Sequence, residues 1–211
     1  MSIHQLPIGK PTACVPRAWD IKIKVVETEE ERLKAMLVRA IVYMHEQKCP
    51  FNEEFDLNDH SATQIIGLGD GGEPLLTARI RFFNGFVKIE RLAIRPESRG
   101  VGHGHRLLSF IFDIARQKGY SRFYLHAQKR LRPFYEGYGF LPVGDAFSFS
   151  DHDYIEMVMD EVARMPQPSL QIGVHPMALN RPENSFFVSG PLERRLDGDL
   201  LGSLHDEKVA A

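Results

Sequence analysis

The chain has 211 residues, a formal net charge of −2, 43% hydrophobic and 26% charged residues. That length points to one domain with room for an appendage, and the charge gives no general reason to expect nucleic acid or an anionic membrane as partner. No run of about 18 apolar residues and no signal-peptide plan occurs, and Cys14 and Cys49 are too few and scattered for a disulfide framework or a zinc site, so a reducing cytoplasm is expected.

Residues 1–19 carry Pro7, Pro11 and Pro16 with little periodicity and read as an N-terminal arm. Ile21–Val25 alternates as a half-buried strand, and Thr28 with Glu31 forms a capping box. Leu33, Met36, Leu37, Ala40, Ile41 and Met44 follow at helical spacing, which predicts a helix over 29–46. His45 to Thr63 is polar, aperiodic and long for a connector, with Glu46, Glu53, Glu54, Asp56 and Asp59 against one lysine. It reads either as a solvated acidic loop or as a wall drawing in a cationic amine. Strands are then expected at Gln64–Leu68, Leu75–Phe83 and Phe86–Ile94, the last two joined by the tight turn Asn84-Gly85.

A helix over 103–118 has a wide apolar face and ends at Gly119, and Arg122–Ala127 alternates as a strand. A short helix with Pro133 in its first turn spans 128–138, and strands follow at 140–143 and Tyr154–Met159. Beyond Arg164, five prolines break any element, and 164–211 reads as a Pro-rich extension to a domain at 20–163. That extension could wrap a partner subunit, so a homodimer is one expectation.

Between the strand ending at Ile94 and the helix at His103 lies Arg99-Gly100-Val101-Gly102-His103-Gly104. Glycines let backbone N–H groups converge on an anion, and a helix N-terminus adds its dipole. The stretch reads as a pyrophosphate cradle with Arg99 as fixed cation, or as a Gly-rich turn without a ligand. A P-loop needs Lys-Ser/Thr after its second Gly, where His103 stands. A dinucleotide fingerprint needs glycine at the position of His105.

The spacing that fits is Arg-x-x-Gly-x-Gly, Arg99 to Gly104, which resembles the acetyl-CoA signature of the GCN5-related N-acetyltransferases (GNAT). A second stretch, Gln128-x-x-Leu131-x-x-Phe134-Tyr135 to Gly139-Phe140, resembles that family's Asn-x-x-Ala-x-x-Phe-Tyr motif, with Gln128 and Leu131 as departures. A third, Arg39-x-x-x-Tyr43-x-x-Glu46-Gln47 with Asp56 to Thr63, is similar to a little-characterised branch. The resemblance covers about residues 20–160. It implies an α/β (α+β) fold: a central mixed, mostly antiparallel sheet of six to seven strands, flanked by helices and splayed at the cofactor strand. Two helices usually follow the first strand, so the second would fall within 47–62.

It further implies acetyl-CoA as acyl donor and a small-molecule or peptide amine as acceptor. Leu92, Ala93 and Ile94 would run beside the pantetheine arm, with the N–H of Ala93 or Ile94 as oxyanion donor. Arg99, Gly100, Val101, Gly102, His103 and Gly104 would hold the pyrophosphate, supported by Gln128 and Phe134. Lys129, Arg130 and Arg132 are candidates for a coenzyme phosphate or simply an exposed basic face. Tyr135 matches the thiolate-side acid, since a phenol stays protonated at neutral pH. Glu90 is the candidate base, with a salt bridge to Arg79 or Arg81 as the competing reading; Glu46 and His126 are the others, on the acceptor side. His103 and His105 lack the convergent donors of a metal site, so no metal is expected. Neither cysteine lies in a matched catalytic position, which favours direct transfer in a ternary complex. The alternatives are a non-catalytic acyl-CoA-binding module and a transferase of a longer acyl group.

Overall fold

The computed structural model describes residues 21–149 and 151–161, so the N-terminal arm and the Pro-rich extension lie outside the described residues. In chain order the elements are β1 (Lys22–Val25), α1 (Glu29–Arg39), α2 (Phe51–Glu54), β2 (Thr63–Leu68), β3 (Pro74–Phe83) and β4 (Phe86–Ile94). They are followed by α3 (His103–Gln117), β5 (Arg122–Gln128), α4 (Arg132–Glu136), β6 (Leu141–Phe149) and β7 (His152–Asp160). One seven-stranded sheet runs in the order β1-β2-β3-β4-β5-β7-β6. Every neighbouring pair is antiparallel except β4–β5, which is parallel because α3 crosses over between them. The expected mixed, mostly antiparallel α/β fold is therefore present. No described helix is long and apolar enough to cross a membrane.

Alternation along the strands sorts their side chains onto two unlike faces. Ala78, Ile80, Val87, Ile89, Phe123, Leu125 and Met157 point to one face and form the main core with Leu107, Leu108, Ile111 and Phe112 of α3. The residues between them, Arg79, Arg81, Lys88, Glu90 and Tyr124, are also buried. A charged second face can be buried only if its members neutralise one another.

Two regions depart from the expected elements. The helix beginning at the Thr28 cap, whose side chain accepts from Glu31 N–H at 3.2 Å, becomes π-helical over Ala40–Glu46, where Gln47 N–H donates to Val42 O. Such wide turns recur at functional sites, and this one carries Tyr43 and Glu46. The short strand expected at 140–143 instead extends to Phe149, because Gly144 (φ 70°) sits in a register shift between Val143 and Phe147 that interrupts the alternation.

The 45–63 connector is structured, and its charges turn inward. The α2 turn occupies the place expected for a second helix, and a 3-10 turn over Leu57–His60 is capped by Asp56. Arg39 is fully buried and donates to Glu54 Oε1 (2.5 Å), Asp59 Oδ1 (2.5 Å) and Glu54 O (2.6 Å). Arg79 donates to Asp56 (2.7 and 2.9 Å) and Asp59 (2.8 Å). An acidic wall attracting a cationic amine is thus corrected: three of its five carboxylates are spent on internal arginines.

Candidate active site

The glycine turn lies where its sequence suggests, between β4 and the N-terminus of α3. After a 3-10 turn at Pro96–Ser98, Gly100 (φ 78°) and Gly102 (φ 86°) are left-handed immediately before α3. A Cβ at either would meet nothing within 4 Å, so the backbone conformation rather than crowding demands glycine. The first N–H groups of α3 have no partner within the helix. His103 is buried, with Nδ1 3.1 Å from Ser98 O; a carbonyl only accepts, so Nδ1 carries the proton and pins the turn. His103 Nε2 and Ser98 Oγ are buried without a hydrogen-bond partner among the described residues, as a site awaiting a polar ligand would leave them. Gly104 lies in ordinary contact with the Phe134 ring (3.5 Å).

Arg99 and Glu46, assigned from sequence to opposite ends of the reaction, meet. Arg99 donates in a fork to both Glu46 oxygens (2.7 and 2.6 Å) and through Nε to Ile94 O (2.8 Å). Hydrogen bonding from Arg99 holds the Glu46 carboxyl below its usual range. Val101 is exposed and, like Glu46, Lys129 and Arg132, does not line the cavity, whereas Arg130 and the other sequence-predicted site residues do.

A single irregularity in β4 opens the sheet beside the cradle. Arg79 pairs with Glu90 and Thr77 with Ala93, which leaves one extra residue on β4. Arg91 within it is left-handed (φ 52°), an uncommon state for a residue with a Cβ. The connector clamps it: Arg91 Nη2 donates to Glu53 O at 2.7 Å and lies 3.6 Å from Asp56. Parallel pairing with β5 stops at Ile89–Leu125, so the sheet splays over 90–94. Leu92 O accepts from the Tyr43 hydroxyl at 2.6 Å. Arg95 N–H donates to Leu75 O on the β3 side, so strand alternation turns the Ile94 N–H to the open edge.

A cavity of about 540 Å³ follows this edge from Gly100 and Gly102 past Leu92–Ile94 to Tyr135, and on to His126, Phe147 and Tyr154. Tyr135 on α4 is 6% exposed, and burial pushes its hydroxyl up to about 12, which leaves a neutral O–H donor at pH 7. Gln128 donates to Gln47 Oε1 (2.9 Å) and accepts from Arg130 Nε (2.9 Å), linking the π-helical turn to the end of β5.

Glu90 takes up the competing reading stated from sequence. It pairs with Lys88 (2.7 Å) and Arg79 (2.9 Å). Burial opposes its ionisation, yet Lys88, Arg79 and Arg81 outweigh that and hold it far below the ordinary carboxylate range. Such a carboxylate is a poor base for an ammonium proton. Burial pulls the Lys88 ammonium down to about 8 against the same pairing. At the far end His126 Nε2 lies 2.8 Å from the Tyr124 hydroxyl, which also hydrogen-bonds Glu156.

Sequence reasoning missed the arginine partners of the connector carboxylates and the Tyr124–Glu156 pair. The only signal for the first was the Arg39–Gln47 pattern together with Asp56 to Thr63. Among the described residues no three His, Cys, Asp or Glu side chains are grouped so as to hold a metal ion.

The acetyltransferase (GNAT) domain family matches residues 39–161. The Bacillus subtilis uncharacterized N-acetyltransferase YjcF is 31% identical over 120 residues, covering 57% of this chain and 85% of that protein. An acyl-CoA N-acyltransferase from Pseudomonas aeruginosa superposes with a TM-score of 0.60 at 28% identity, over 66% of this chain and 97% of the other. Escherichia coli ElaA also gives 0.60, at 25% identity over 66% and 99%.

Proposed function

The chain belongs to the GNAT acetyltransferase family, and from that premise we propose that it moves an acetyl group from acetyl-CoA to a primary amine by direct attack in a ternary complex. The observation that carries the reading is the single cavity joining the glycine cradle, the open edge of β4 and Tyr135. The donor supplies an activated thioester, so the protein needs to orient it, stabilise negative charge and manage two protons.

The residues fit such a donor. The α3 N-terminal amides and the guanidinium of Arg99 suit a pyrophosphate, which competes with Glu46 for the same fork. The edge of β4 over Leu92–Ile94 suits the amide-bearing pantetheine arm. The Ile94 N–H faces the open edge and meets the developing carbonyl charge. Tyr135 gives its proton to the departing sulfur. With three of the five connector carboxylates paired to internal arginines, the connector gives little long-range preference for a cationic acceptor.

The test is release of CoA, followed by chromatography, across polyamines, aminoglycosides, amino acids and peptides. Replacing Tyr135 with Phe should lower kcat on the order of 10²-fold while acetyl-CoA affinity by calorimetry stays within about twofold. An unchanged kcat removes Tyr135 from the mechanism. Tight CoA binding without turnover on any amine favours the non-catalytic module instead.

A further inference from the structure

We infer that Tyr43, Gln47 and Tyr154 form the acceptor subsite, the Tyr43 oxygen receiving an N–H of the amine while the Gln47 amide and the Tyr154 hydroxyl hold a carbonyl or carboxylate oxygen beside it. The acceptor is then an α-amino carbonyl compound, either a free amino acid or the N-terminus of a peptide. This rests on the acetyltransferase reading above and supplies the substrate class that reading leaves open.

Counting hydrogens fixes what each group offers. Tyr43 Oη lies 2.6 Å from Leu92 O, and a carbonyl can only accept, so the one hydroxyl hydrogen is spent on Leu92. The Tyr43 oxygen, on a residue that lines the cavity, is left as an acceptor. Arg130 Nε, 2.9 Å from Gln128 Oε1, can only donate, which turns Gln128 Nε2 toward Gln47 and makes the Gln47 atom it meets at 2.9 Å an oxygen. Gln47 Nε2 keeps its hydrogens for the cavity that Gln47 lines. Tyr154 faces Gln128 across the β5–β7 register and takes a long contact of 3.4 Å from Gln128 Nε2, so its own hydrogen is not used there. Burial keeps Tyr154 a neutral phenol and therefore a donor.

These offers lie together and beside the open edge. Tyr43 is on the π-helical turn that Gln47 ends. Burial above all, then nearby charge that includes Tyr154, raises the Tyr43 hydroxyl well above the phenol range, so the two phenols are neighbours. Leu92 O and the Ile94 N–H are two residues apart on one edge of β4, about 7 Å along the strand. A nitrogen on Tyr43 is thus one strand repeat from the oxyanion donor, with its neighbouring oxygen turned to Gln47 and Tyr154.

Charge points the same way. Among the described lining residues the one carboxylate is Glu90, which is paired with Lys88 and Arg79. A second ammonium, as in a polyamine or an aminoglycoside, meets no unspent anion among them. The α-amino group of a peptide titrates near about 8, against about 10.4 for a lysine side chain, so roughly a tenth is already unprotonated at pH 7. That suits a site whose only lining carboxylate is a poor base. The rings of Phe149 and Tyr154, 6.4 Å apart, line the same end and suit an apolar side group.

The test follows CoA release by the full-length protein with L-phenylalanine, phenylalaninamide, the dipeptide Phe-Ala, 2-phenylethylamine and spermidine. The three compounds with an α-carbonyl oxygen should exceed 2-phenylethylamine in kcat/KM on the order of 10²-fold, and spermidine by more. Preference for phenylalanine over Phe-Ala assigns the free amino acid, and the reverse assigns the peptide N-terminus. Gln47→Leu and Tyr154→Phe should each shrink the advantage over 2-phenylethylamine roughly tenfold, a change of ratio that general loosening of the fold does not produce. Equal kcat/KM with and without the α-carbonyl, or a ratio unmoved in both variants, overturns the inference and leaves the acetyltransferase reading intact. If the wild type turns over no amine, that reading falls, and calorimetric titration of the CoA-loaded protein with the same compounds decides the subsite. Tighter binding of the α-carbonyl compounds, lost in Gln47→Leu, supports it; equal binding or none overturns it.

Discussion

Replacing Asp59 with Asn removes one negative charge from between two buried guanidinium groups. The Asp59 carboxylate accepts from Arg39 (2.5 and 3.1 Å), Arg79 (2.8 Å) and Gln64 (3.1 Å). Neither arginine can lose its proton, so the variant keeps two cations sharing fewer anions in a water-poor layer. Removing one partner from a buried charge group costs about 3–5 kcal/mol, a large part of the ~5–15 kcal/mol that holds a domain together. At about 2–4 °C per kcal/mol for a chain of this size, the melting temperature should fall by roughly 6–20 °C. Circular dichroism melts and urea titrations at pH 7 measure both quantities. A function readout accompanies them, because the same connector clamps Arg91 through Glu53 O. CoA affinity should weaken in the folded variant as the β4 irregularity relaxes. A loss of less than about 1 kcal/mol would refute the argument, since that is the range of an exposed pair.

Gly102→Ala should weaken CoA binding and cost about 1–2 kcal/mol, because its φ of 86° is strained for any Cβ. Gly104→Ala, at a helical φ and 3.5 Å from Phe134, should be nearly neutral in stability, and equal effects in the two variants would undo the conformational reading. Acid stability follows from the carboxylates. Asp59 is held at about 2 despite its burial, by Arg39 and Arg79, and Glu90 is held lower still, so the stability they contribute is present above their unfolded values and lost as pH falls toward the folded ones. Glu54, raised by burial, works in the opposite sense and reduces the total. The urea midpoint should therefore change little from pH 7 to about 5 and drop between about 4 and 2, and Asp59→Asn should drop less steeply.

The parts of this fold legible in the sequence are those set by neighbours along the chain. Asn84-Gly85 announces the β3–β4 hairpin, the Thr28 cap starts α1, and the glycines before His103 mark the cradle. What stayed hidden is set by register between distant strands. Asp56 and Asp59 look like solvated loop residues until Arg39 and Arg79 are known to face them. Tyr124 and His126 are two apart on one strand, yet only the β5–β7 pairing brings Glu156, 32 positions from Tyr124, to the same spot. Glu90 reads from sequence as either base or ion pair, and what tips it to the ion pair includes Lys88, two residues away on the same strand face.

The early end of parallel pairing has a mechanical consequence. Only Val87, Lys88 and Ile89 are registered against Phe123, Tyr124 and Leu125, so two antiparallel plates, β1–β4 and β5–β7–β6, are joined by a seam three residues long. Each plate can zip from hairpins close in sequence, whereas the seam requires α3 to have crossed over first, which makes it a late event in folding. What binds the plates is then less their own ladder than α3, whose Leu107, Leu108, Ile111 and Phe112 share one core with residues of both.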